Sequence, residues 1–63
     1  MSKAYYKIIK EEPDVFFWEL HSANGSEVAF AAKDYRTESE CLEAINRLEV
    51  IVASKPRCIL PDE

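Results

Sequence analysis

The stretch VFFWELHSANGSEVAF, residues 15–30, decides the fold of this chain. Its first half is rich in aromatic and branched residues and alternates with a period of two, the mark of a strand with two different faces. Phe16, Trp18 and Leu20 point one way; Val15, Phe17, Glu19 and His21 point the other. Asn24-Gly25 then predicts a hairpin, because both residues tolerate the positive φ that a type I′ turn requires. With that pair at the turn centre, Leu20 faces Ala29 and Trp18 faces Ala31, large against small, so a helix can approach closely. The same register sends Val28 and Phe30 to the opposite face, beside His21 and Glu19. A bulge near Ser26 would reverse this parity, since a slip of one residue turns every side chain over.

Upstream, YYKIIK (5–10) reads as a preceding strand, with Tyr6 and Ile8 on one face and Tyr5 and Ile9 on the other. Pro13 and Asp14 mark the turn that separates it from the next. Downstream, Thr37 followed by Glu40 has the spacing of a capping box, in which each side chain accepts the other's backbone N–H. Cys41, Ala44, Ile45, Leu48, Ile51 and Val52 recur at helical spacing, and Pro56 ends the run, so the predicted helix spans about Glu38 to Ala53. Its stripe joins Tyr6, Ile8, Phe16, Trp18, Leu20, Ala29 and Ala31 as the expected core. Beyond it, RCIL (57–60), bounded by Pro56 and Pro61, can form one more short strand. That strand either folds back on its own sheet or reaches a second copy. Asp62 and Glu63 read as a charged, solvated end.

A chain of 63 residues makes one small α+β domain over positions 1–63. At this size folding buries only about 60% of the unfolded surface, and partner subunits, metals or disulfides often supply the rest. Twelve acidic against eight basic residues give a net charge of −4, which opposes general binding to nucleic acid or to anionic membranes. Apolar runs such as VFFW and VIVA are far too short to span a bilayer, and no early segment has the apolar core of a signal peptide. The expected compartment is the cytoplasm, with Cys41 and Cys58 reduced.

Tyr6, Ile8, Phe16, Trp18 and Leu20, leading into SANG and VAFA, then Tyr35, the cap at Thr37 and CLEAI, form a pattern that resembles the YegP-like family of small proteins. The likeness covers about Tyr5 to Ile51. Asp14 replaces the family's usual glycine in the first loop, Ala31 replaces a small polar residue, and Phe30 is bulkier than usual. The resemblance implies a unit of three antiparallel strands, a helix and a final short strand that two subunits exchange. It therefore implies a homodimer with Arg57, Cys58, Ile59 and Leu60 at the interface, and it implies no agreed activity.

Candidate chemistry is sparse. His21, the one histidine, needs a nucleophile and an orienting group to be catalytic, and the alternation turns it away from the helix carrying Cys41. Two cysteines with sixteen residues between them and one histidine fall short of a four-ligand zinc site, so neither metal nor cofactor is expected. Glu11, Glu12 and Asp14 flank an exposed turn rather than a cleft. The sheet face away from the helix is the most distinctive feature, with Tyr5, Phe17, His21, Val28 and Phe30 as its candidate binding residues. Assembly can cover it, a protein or a small apolar ligand can bind it, or its aromatics can stack the bases of a single strand. The reading is a non-catalytic module, with nucleic acid as the weaker occupant because only Lys7 brings positive charge there while Glu19 sits on the same face.

Overall fold

The computed structural model describes residues 3–61; Asp62 and Glu63 lie outside them. Three antiparallel strands, β1 (Tyr5–Glu12), β2 (Val15–His21) and β3 (Glu27–Phe30), form a sheet in the order β1-β2-β3, followed by the helix α1 (Glu38–Ala53). This is the expected meander with one helix, an α+β arrangement. No helix among the described residues is long and apolar enough to cross a membrane.

The first strand runs to Glu12 instead of stopping at Lys10, because Pro13 and Asp14 alone make the connection, with Glu12 opposite Val15. Neither turn residue has a positive φ. Turns of that kind match the twist of paired strands poorly. The ladder takes up the misfit at once through an irregularity between Lys10 and Glu12. From there Ile8 pairs with Trp18 and Tyr6 with Leu20 on the inner face, while Ile9 pairs with Phe17 and Tyr5 with His21 on the outer.

The second hairpin reaches its expected register by an unexpected route. Leu20 does pair with Ala29, and the Ala31 N–H donates to the Trp18 carbonyl at 2.9 Å. The turn, however, is not a two-residue type I′ turn. Ser22 and Ser26 close a loop of three residues, Ala23, Asn24 and Gly25, and only Gly25 has a positive φ, of 92°. The Ser22 N–H donates to the Ser26 carbonyl at 2.8 Å and the Gly25 N–H to the Ser22 carbonyl at 2.9 Å. Asn24 Oδ1 accepts from the Ser26 N–H at 3.1 Å, the local bond that suits asparagine to turns. A three-residue loop shifts the pairing by one, so His21 meets Glu27 rather than Val28. The ladder then slips between Leu20 and His21, leaving Val28 as the unpaired residue and restoring the parity that places Leu20 and Trp18 inward.

After Phe30 the chain leaves the ladder and returns at Tyr35, which bridges Phe16 through two backbone bonds of 2.7 Å. Tyr35 packs against the core from there. Thr37 caps α1 by accepting the Glu40 N–H at 3.1 Å. The return bond differs from the expected box: the Glu40 carboxylate takes the Arg36 N–H, at 3.2 Å.

The core is thin. Among the described residues, Trp18, Ala31, Cys41 and Ile45 are the buried apolar ones, and of these Cys41 alone is wholly enclosed. Tyr6, Ile8, Phe16, Leu20, Ala29 and Leu48 pack around them half-buried, and Tyr6 meets Trp18 edge to face at 6.0 Å. Ile51 and Val52, assigned to the core by the helical stripe, are 58% and 59% exposed. The helix packs chiefly on β2, and among the described residues its last turn stays exposed, with Val52 at the rim of a groove beside Ala29. Residues 55–61 form no strand within the chain, and Ile59 and Leu60 are 83% and 79% exposed.

Candidate functional site

Two surfaces carry chemistry, one on each side of the sheet. On the helix side an apolar groove of about 430 Å³ opens between the end of α1 and the inner face, lined by Tyr6, Trp18, Leu20, Ala29, Leu48 and Val52. Ala29 is small and β3 has only four residues, so this edge of the sheet offers little side-chain volume to fill the groove. Burial, with Glu49 nearby, pushes the Tyr6 phenol above its ordinary pKa, which keeps it neutral.

On the helix-free side, alternation along β1 and β2 places Tyr5, Ile9, Phe17, Glu19 and His21 together, and the cross-strand pair Glu19–Phe30 adds β3. Tyr5, Phe17, His21 and Phe30 thus share the face assigned to them, with Phe30 67% exposed. Val28 departs from its assignment: it sits at the register slip, and Glu27 takes the place opposite His21.

His21 is far from the bare surface imidazole that its position near a turn suggests. The Tyr5 ring stacks on it, centroids 5.1 Å apart and planes 2° from parallel. Nε2 lies 2.9 Å from Glu19 Oε1, and Nδ1 lies 3.1 Å from the Gly25 carbonyl. The Glu19 hydrogen bond first and the Gly25 carbonyl second favour the imidazolium, and the pKa rises above the ordinary 6.5. Sequence alternation supplies Glu19 and Tyr5 as neighbours; the loop that brings Gly25 and Glu27 to the ring has no signature beyond Asn-Gly.

The two cysteines are not brought together. Cys41 is buried under α1 on the opposite side of the sheet from His21, and burial, then Glu38, pushes its thiol pKa up. Such a thiol is a poor nucleophile. Cys58 is exposed in the segment that follows the helix, with Arg57, Ile59 and Leu60. No protein-family model, curated protein or solved structure matches this chain.

Proposed function

We propose that this chain is a non-catalytic homodimeric module of the cytoplasm, in which each protomer lends Arg57–Leu60 to its twin, as the YegP-like resemblance implies. One observation carries the reading: the accessible surface is 5526 Å². A compact monomer of 7.3 kDa exposes about 4,200 Å², and the excess of about 1,300 Å² is more than one partner buries in an interface of standard size. The large apolar side chains left exposed include Ile51, Val52, Ile59 and Leu60, at the end of the helix and beyond. The receiving surface is the groove beside Ala29, large enough for two aliphatic side chains and flanked by the free edge of β3. Burying Ile59 and Leu60 there recovers about 1.5–3 kcal/mol each. Non-catalytic character rests on the separation of His21 from a buried, protonated Cys41 by the sheet.

The helix-free face remains for a protein partner. Single-stranded nucleic acid suits it less, since Glu19 and Glu27 stand among its aromatics.

Light scattering on the full chain, on a chain ending at Ser54, and on the double variant Ile59→Asp/Leu60→Asp tests the proposal. The full chain is expected at twice 7.3 kDa and the other two at the monomer mass or unfolded. A full chain that melts cooperatively as a monomer, or a folded dimer after truncation, overturns it.

A further inference from the structure

We propose that Glu19, His21 and Glu27 form a binding site for a divalent transition-metal ion, zinc foremost, at the mouth of the β2–β3 hairpin. One donor atom from each lies within 4.8 Å of the other two. The placement follows from the backbone. Glu19 and His21 are two apart on one strand and share a face, and the three-residue loop puts Glu27 opposite His21. With a two-residue turn Val28 would stand there and the third ligand would be lost.

The histidine is oriented as a ligand. Metal-bound histidines hold their second ring N–H on a carboxylate or a backbone carbonyl, which fixes the tautomer. Here Nδ1 has the Gly25 carbonyl at 3.1 Å, so the neutral ring turns its Nε2 lone pair toward Glu19 Oε1 at 2.9 Å. Two electron-rich atoms at that distance need a positive charge between them, a proton or a cation. The stacked Tyr5 ring holds the imidazole plane. The side chains of His21 and Glu19 are only 13% and 21% exposed, so little rotamer freedom is left to lose on binding.

The donor set matches the ion. One imidazole nitrogen and two carboxylates suit zinc at bond lengths of about 2.1 Å, and two negative charges neutralise it. A tetrahedral ion spaces its donors by about 3.4 Å, so Nε2 and Oε1 part by about half an ångström, within reach of a rotation of Glu19. Glu27 is exposed, and the fourth position therefore opens to water. Lys7, paired with Glu19 across β1, is the facing cation.

The test uses the full chain carrying Cys58→Ser, which removes the exposed thiol as a competing ligand. Zinc is titrated by calorimetry, and cobalt(II) is followed by its visible absorption, whose intensity reports low coordination number. One ion per chain is expected, with affinity at least tenfold weaker in His21→Ala and in Glu27→Gln, each checked for folding by circular dichroism. Should His21→Ala not fold, Glu27→Gln decides, because that side chain is exposed and its loss spares the core. The proposal is overturned by no binding at about 1 mM metal, or by a folded Glu27→Gln chain that loses less than tenfold.

Discussion

Lys55 sits at φ 56°, the left-handed region that glycine usually fills one residue past a helix. Its N–H donates to the Val52 carbonyl at 3.0 Å, half of the usual closing motif. The other half needs an N–H from the next residue, and Pro56 has none. The Ser54 hydroxyl takes over, donating to the Ile51 carbonyl at 2.6 Å. Lys55→Gly should therefore stabilise the fold by about 1 kcal/mol, read as a higher urea midpoint at unchanged slope. His21 sets the pH dependence. Its folded pKa is raised, so the folded chain holds the proton more tightly than the unfolded one. That stabilisation is complete below the ordinary value of 6.5 and is lost as pH rises through the folded pKa. The Glu19 carboxylate and the Gly25 carbonyl favour this trend, and partial burial of the ring and Lys7 oppose it. In chelator-treated protein the urea midpoint should fall between about pH 6 and pH 8, and His21→Asn should flatten that fall.

Among the elements, the helix was the most legible, because its signals are local. Thr37 and Glu40 mark its start, Pro56 its end, and the structure keeps Glu38–Ala53. Thr37→Ala should cost about 1 kcal/mol, since the Glu40 N–H loses its acceptor, and thermal melting followed at 222 nm measures it. The stripe failed only at Ile51 and Val52, because periodicity says which face is apolar and not how far the facing sheet extends. The hairpin was legible in its outcome but not in its mechanism. Asn-Gly announces a turn, yet whether both residues or only Gly25 take positive φ depends on the bonds that Ser22 and Ser26 make. For the same reason the Glu19–His21–Glu27 cluster was hidden: alternation delivers two of its members, and only the loop length delivers the third. Tyr35 is a third such case, returning to Phe16 after a detour that leaves no pattern in Ala32–Asp34.

At the scale of the whole molecule, four buried residues cannot hold a large stability margin. Domains carry roughly 0.05–0.15 kcal/mol per residue, and a core this thin belongs at the low end. The radius of gyration, 13.7 Å, exceeds the roughly 10.6 Å of a compact chain of this length, in keeping with a segment beyond α1 that leaves the body. If two copies complete one another, the melting temperature should climb as protein concentration is raised, and a Tm constant over a hundredfold dilution would speak for a self-sufficient protomer. The offset between the three-residue loop and the unpaired Val28 reaches further still. For this unchanged sequence, the slip combined with a turn centred on Asn24-Gly25, or the three-residue loop without the slip, would turn the third strand inside out, and together loop and slip cancel. Ser22 and Ser26 flank the loop and Val28 is unpaired, so deleting Ala23, Val28 or both should leave His21 opposite Glu27 and Leu20 opposite Ala29, the slip vanishing only when Val28 is lost. Single-residue losses in this hairpin are thus viable at the loop and at the slip, and a lineage of such chains would drift in length there one position at a time.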